Sequence, residues 1–266
     1  QKIGNNNSIM SFVVLLLLSG ILSPIKAWPS VPWPCSEFAY NSSTFILEKD
    51  GVYLFRGPSP VGKNHSAFEN STLFECFSTL APSFPRYDAG LFIISLLAPQ
   101  YVESEAADLL IELDWTSNYT QRSRLIHWAL YGDDPNTDPE TLPQREREKL
   151  AKSLASWQPD NLVRRVPILS RILNTVRITD FAHFKAVALY IHCTGGIDRT
   201  GEIVGALMMR DFGWTYHRTV AWNTAIGSRQ QGPREHLALK WYCFYLFYQL
   251  DYELNCEDDP SDSAFF

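Results

Sequence analysis

Short apolar runs alternate with stretches of helical spacing along most of the chain. "GVYLF" (51–55) and "GLFIISL" (90–96) are continuous apolar runs closed by Gly, Pro or Asp, the mark of buried strands, and "LIHWALY" (125–131) is a third. Between them "VESEAADLLIEL" (102–113) predicts a helix that buries Ala106, Leu109, Leu110 and Leu113. The polar loop "GDDPNTDPETLP" leads to "QREREKLAKSLASW", which reads as a solvated helix with Glu146 and Lys149 paired at i, i+3. "VPILSRILNTVRI" (166–178) reads as a helix with Ile168, Leu169, Ile172, Leu173 and Val176 on its apolar side. "AVALYIH" (186–192) is a fourth buried strand, followed by helical "GEIVGALMMRDF". "LALKWYCFYLFYQL" (237–250) is apolar all round, as a packed core helix is, and "NCEDDPSDSAFF" is a tail without pattern. The alternation predicts a single α/β domain with a central, mostly parallel sheet flanked by helices.

Met10 is followed by "SFVVLLLLSGILSPIKA", an apolar run of signal-peptide length and short for a bilayer span. Residues 1–27 therefore read as an export leader cleaved after Ala27, with a buried core helix as the alternative. Residues 28–43, rich in proline and aromatic rings, read as an extended arm on the domain surface. Acidic side chains number 29 against 23 basic ones, a net charge of −6 that argues against nucleic acid or an anionic membrane surface as partner. No membrane span is expected in the mature chain. Sequons at Asn41, Asn64, Asn70 and Asn118 agree with a secreted or luminal protein, as do the cysteines Cys35, Cys76, Cys243 and Cys256 beside Cys193. Without a working leader the chain would be cytoplasmic. Four cysteines allow three pairings, and nearness in sequence favours Cys35 with Cys76 and Cys243 with Cys256.

The chemistry concentrates in "YIHCTGGIDRTGEIVGALMMRD" (190–211). A strand, a short loop and a helix gather the loop's N–H groups and the helix N-terminus around one point, which makes an anion site before any side chain is considered. Gly195 and Gly196 let the loop close, and Arg199 reaches back to hold two oxygens of a phosphate. Cys193 lies at the bottom of this cup, where the field that attracts phosphate also stabilises a thiolate nucleophile. Thr200 is placed to donate its hydroxyl to that sulfur.

"HCTGGIDRTG" resembles the H-C-x5-R-[ST]-G signature of the cysteine-dependent tyrosine and dual-specificity phosphatases. The likeness is clearest over 157–212 and weaker over "GVYLFRGPSP" (51–60), which is similar to the opening of the dual-specificity domain. It implies a phosphatase-like domain over 44–252, followed by an acidic tail at 253–266. It also implies two-step phosphomonoester hydrolysis through a phosphocysteine, with no metal or other cofactor, on a phosphorylated protein or small phosphomonoester. Cys193 is then the nucleophile and Arg199 binds phosphate, while Thr194, Gly195, Gly196, Ile197, Asp198 and Arg199 supply the amides around it. His192 supports the loop.

A general acid must protonate the leaving oxygen, and the family takes it from an aspartate on a loop upstream of the cysteine. "WQPD" resembles the family's W-P-D loop with Gln158 inserted and offers Asp160, 33 residues before Cys193. "WALYGDDP" offers Asp133 and Asp134 at the end of a strand, and Asp198 stands beside Arg199 as in the myotubularin and Sac-type phosphoinositide phosphatases. Asp198 on the rim opposes highly phosphorylated inositols, and no lysine between Cys193 and Arg199 offsets it. Gln230 and Gln231 are candidates to position the hydrolytic water, as a glutamine does in tyrosine phosphatases, or form a solvated loop.

An activated thiol in an exported protein is exposed to oxidation. Either the cup shields Cys193, or oxidation regulates it, or the leader does not export. Three rival readings remain: a phosphate-binding pseudophosphatase, an arsenate reductase or sulfur transferase, and a structural disulfide role for Cys193.

Overall fold

The computed structural model describes Cys35 and residues 42–62, 64–134, 137–176, 181 and 184–257. Its strands are β1 (Thr44–Lys49), β2 (Val52–Gly57), β3 (Ala89–Ser95), β4 (Ser123–His127) and β5 (Ala186–His192). They form one sheet in the order β1-β2-β5-β3-β4, with β1 antiparallel to β2 and every other pairing parallel. Central β5 is buried at every position, as a parallel strand covered on both faces must be. Its side chains alternate between two cores. Leu189 and Ile191 pack with Val52, Leu54 and Ile94, whereas Ala188 and Tyr190 pack with Tyr53, Phe55, Leu91 and Ile93.

The helices are α1 (Asn70–Leu80), α2 (Glu105–Asn118), α3 (Gln144–Lys152), α4 (Leu154–Trp157), α5 (Leu162–Thr175), α6 (Asp198–Phe212), α7 (Tyr216–Gly227) and α8 (Pro233–Leu250). α3 to α8 cover the first core and α1 and α2 the second. Gly57 and Ser95 both stand opposite His192, and His127 stands opposite Ser95. The four parallel strands therefore end level, and the loops after them share one edge, where open α/β sheets place their ligands.

Several expectations from the sequence are corrected. The third strand stops at His127, because the amides of Tyr131 and Gly132 bond a carboxylate instead of a neighbouring strand. The charged helix breaks at Ser153 into α3 and α4, and the pair that forms is Glu148 with Lys152 at 2.7 Å. α5 starts at Leu162, contains Pro167 and ends at Thr175. Leu254 and Cys256, in the stretch read as tail, are buried in the first core. β1, α1 and α7 were not anticipated.

The largest correction is the face of α2. It buries Glu105, Asp108, Leu109 and Glu112, while Leu110 is 66% and Leu113 44% exposed. Apolar spacing chose the wrong side because each inward carboxylate meets a basic partner, Arg199, His65 and His192 in turn.

The leader, the arm apart from Cys35, Asn41 and residues 258–266 lie outside the described residues. Asn64 and Asn118 are exposed, and Asn70 is half-buried at the start of α1. Among the described residues no helix is long and apolar enough to cross a membrane.

Cys35 is bonded to Cys76 and Cys243 to Cys256, the local pairing, which leaves Cys193 free. Both bonds tie a terminal segment to a core helix. Replacing Cys243 and Cys256 together by Ser is expected to cost about 3 kcal/mol by urea unfolding, because the 13-residue separation is lost as a constraint on the unfolded chain. Peptide mapping without reductant checks the pairing, and a peptide linking Cys193 to any of the other four would contradict it.

Candidate active site

Cys193 follows the last residue of β5, is 2% exposed and belongs to the first core. The loop between it and α6 is tied down by its carbonyls. The Ser59 amide donates to Thr194 O at 3.1 Å, Ser42 Oγ to Gly195 O at 2.6 Å, and Arg56 Nη2 to Gly196 O and Ile197 O at 3.0 and 3.3 Å. With four successive carbonyls held from outside, the amides of 194–199 are left for whatever occupies the cup. Gly196 has φ +66, and an added Cβ would lie 2.2 Å from the Gly57 carbonyl carbon, so only glycine fits.

Arg56 was missed in the sequence, although it sits in "GVYLFRGPSP". It is fully buried, donates from Nη1 to Asn223 Oδ1 at 2.5 Å and lies over the Trp222 ring at 4.9 Å. Burial lowers its pKa to about 10, and the charges of Cys193 and Asp198 oppose that. It remains a cation behind the loop.

Arg199, in the first turn of α6, donates to Glu105 from Nη1 at 2.8 Å and Nη2 at 2.5 Å, to Leu96 O at 3.1 Å and to Thr194 Oγ1 at 3.2 Å. Thr194 in turn donates its hydroxyl to Glu105, whose other oxygen accepts from the Ala98 amide at 2.6 Å. Burial works to raise the pKa of Glu105, but the Arg199 bonds and charge outweigh it and hold the group below the usual carboxylate range. Glu105 was also missed, since a glutamate at a helix start carries no sequence signal of a distant arginine. Thr200 is fully buried, and its hydroxyl has no hydrogen-bond partner among the described residues, Cys193 included.

The candidate acids fall into different places. Asp198 accepts from Arg229 at 2.8 and 2.6 Å and from the Gly232 amide at 2.7 Å. Those contacts overcome burial and lower its pKa, so it stays ionised. Asp160 is buried, and its two oxygens accept from the amides of Tyr131 and Gly132. Gln158, the residue inserted in "WQPD", donates from Nε2 to Asp133 Oδ2 at 3.0 Å and to Ala238 O at 3.2 Å. The "WQPD" turn thus clasps the loop after β4 at both of its ends.

Asp133 is fully buried and its Oδ1 has no hydrogen-bond partner among the described residues. Burial pushes its pKa to about 7, with the Gln158 bond opposing and the Asp160 charge adding. It lines a cavity of about 320 Å³ with Asp134, Tyr101, Tyr131, Trp157 and Arg234. Tyr101 follows β3 and stacks on Tyr131, which follows β4, with centroids 4.1 Å apart, so the cavity lies at the strand edge that holds Cys193. Gln231 is buried between Asp198 O and Asn223, at 3.0 and 3.1 Å, and Gln230 is exposed with its carbonyl accepting from Arg229.

No protein-family model matches the chain, and no curated protein does. A solved structure described as Tk-PTP in its active form is similar over 79% of this chain and 96% of that one, at 14% identity and a TM-score of 0.37. At that distance the likeness carries no weight, and the site rests on its own geometry.

Gly196→Ala is expected to fold and to weaken inorganic vanadate binding at least about 100-fold, because the loop must shift and its amides with it. Isothermal titration checks this, and unchanged affinity would contradict the cup. Stability should also depend on pH in a set direction. The pKa values of Asp133 and Glu235 are raised by burial to about 7, those of Asp160 and Glu202 are raised as well, and unfolded carboxylates titrate near about 4. The native state therefore holds more protons than the unfolded chain above pH ~4, and stability falls as pH rises from there through about 7. Urea unfolding at pH 5 and pH 8 tests the sign; greater stability at pH 8 would refute it.

Proposed function

We propose that the chain hydrolyses phosphomonoesters in two steps through a phosphocysteine on Cys193, as a tyrosine or dual-specificity phosphatase does. The observation that carries this is the loop itself: four carbonyls pinned outward around a free, buried cysteine, with a doubly clamped arginine at the helix start. Such a cup fits a tetrahedral oxyanion, since amides and a guanidinium supply directional donors in a site poor in water.

In the first step the Cys193 sulfur attacks phosphorus, the P–O bond to the leaving group breaks, and that oxygen takes a proton. Asp133 supplies it in this reading. It lines the cavity at the strand edge, its pKa is raised to about 7, and its Oδ1 has no hydrogen-bond partner among the described residues, whereas Asp160 serves as clasp and Asp198 as partner of Arg229. In the second step the Asp133 carboxylate takes a proton from water as its oxygen attacks phosphorus and the S–P bond breaks, which restores the thiolate. Arg199 engages the phosphate with Nε and with Nη2, which exchanges the Thr194 hydroxyl for a phosphate oxygen.

The substrate is a phosphorylated protein or small phosphomonoester. Arg229 answers the charge of Asp198, so the argument from sequence against phosphorylated inositols loses its force. The two disulfides, neither of which includes Cys193, support a secreted or luminal site of action.

Cys193→Ser is expected to abolish phosphate release, a fall of at least about 1,000-fold. Asp133→Asn should lower kcat about 100-fold on phenyl phosphate and far less on p-nitrophenyl phosphate, whose leaving group needs little protonation. Since Asp133 is protonated below about pH 7, wild-type kcat on phenyl phosphate should fall as pH rises through that value, and the variant should lack that limb. Activity surviving in Cys193→Ser would end the proposal. Vanadate binding without phosphate release in the wild type would favour a pseudophosphatase, and loss in Asp160→Asn but not Asp133→Asn would return the acid to Asp160.

A further inference from the structure

Leu110, which α2 leaves in solvent, does not stand alone. It borders a groove of about 640 Å³, lined by the outer face of α2 and by residues 66–68, and within the ~300–1,000 Å³ of ordinary ligand sites. Three rings of the lining form a stack. Phe68 lies on Trp115 with centroids 4.2 Å apart, and Trp115 is tilted against Tyr119 at 5.2 Å. Phe68 is buried, Trp115 half-buried and Tyr119 52% exposed, so the stack runs from the core out into solvent. Among the described residues Asp114 is the one carboxylate in the lining, and no basic side chain joins it. A surface so apolar and so nearly uncharged suits a neutral, amphipathic occupant better than an ion.

Asn118, the last residue of α2, lines the same groove and opens the sequon Asn118-Tyr119-Thr120. Leu110, Asp114 and Asn118 follow one another at intervals of four, so they share one stripe of the helix. Helical side chains lean toward the N-terminus, and Asn118 does so: its Nδ2 donates to Asp114 Oδ2 at 3.2 Å. The amide is thereby aimed back along the groove rather than off the end of the helix. Asn118 and Thr120 are both exposed. The other sequons lack this placement, since that of Asn64 contributes only Ser66 to the lining, that of Asn70 contributes nothing, and Asn41 lies outside the described residues.

We infer that Asn118 carries an N-linked glycan whose first sugars lie in this groove and cover the apolar outer face of α2. In the modifying step Nδ2 loses one hydrogen as a proton and bonds to C1 of N-acetylglucosamine, while the C1–O bond to a lipid diphosphate carrier breaks and the diphosphate leaves. Nδ2 retains one N–H for Asp114, so the sugar starts along the groove. The C–H faces of the sugar rings then rest on Trp115, Tyr119 and Leu110, and their hydroxyls stay in water. The two disulfides, which form in the oxidising compartments that glycosylate proteins, agree with this. No residue of the cysteine loop takes part, and the inference stands apart from the proposed reaction.

The full chain is expressed in insect cells, and its peptides are mapped after enzymatic deglycosylation in heavy-oxygen water, which converts each occupied asparagine to labelled aspartate. Label at Asn118 is expected in most molecules, and an unlabelled Asn118 overturns the inference. The seat of the sugars is read by anilinonaphthalene sulfonate fluorescence in wild type and in Thr120→Ala, which removes the acceptor motif and keeps Asn118. The variant should bind at least about threefold more dye, because the apolar face is uncovered. Leu110→Ser added to it should remove most of the gain. Equal dye binding with and without the glycan, or a gain that Leu110→Ser leaves intact, overturns the inference as well. If Thr120→Ala fails to fold, enzymatic removal of the glycan from the folded wild type, alone and with Leu110→Ser, makes the same comparison.

Discussion

A carboxylate removed from water must meet a positive charge or a set of donors, and α2 removes three from water on one face. Glu105 bonds Arg199 and Asp108 bonds His65, while Glu112 lies 3.3 Å from His192 without an aligned hydrogen bond among the described residues. That requirement orients α2 across the edge where the parallel strands end, at the expense of leaving Leu110 and Leu113 in solvent. Two of the three basic partners flank Cys193 in sequence. The helix is therefore better described as a support for the cysteine loop than as a hydrophobic cover for the sheet.

The loop is held by the same economy of buried polar groups. Arg56 reaches it from β2, Ser42 from the segment before β1, and the Ser59 amide from the turn after β2. All three contacts point at carbonyls. The loop is thus held from its back, and Arg199 Nη2 also donates to the Thr194 hydroxyl at its front. On the other side, the "WQPD" turn and the loop after β4 are one unit: Asp160 fixes the backbone of 131–132 and Gln158 fixes one oxygen of Asp133. The Asp133 carboxyl is held by a turn that resembles an acid loop in sequence.

Much of this was legible in the sequence where the signal is local. The strand before Cys193, the helix from Asp198, the glycine pair and the short-range disulfides follow from apolar runs, turn residues and spacing. What sequence could not show is long-range charge pairing. Glu105 lies 94 residues from Arg199, and Arg56 lies 140 from Gly196, so neither leaves a periodic trace. The reading of α2 failed for the same reason, since periodicity assumes that apolar residues point inward. Asp160 resembles an acid by its neighbours, and its bonds to the amides of Tyr131 and Gly132 leave no trace in the sequence.

The proposed reaction passes through a covalent phosphoenzyme at Cys193. Rapid acid quench of the enzyme during turnover of a radiolabelled aryl phosphate, followed by peptide mapping under conditions that preserve S–P bonds, addresses it directly. The account predicts label on the peptide containing Cys193 and its absence in Cys193→Ser. Turnover with label on another residue, or with no covalent label at any quench time, would contradict it.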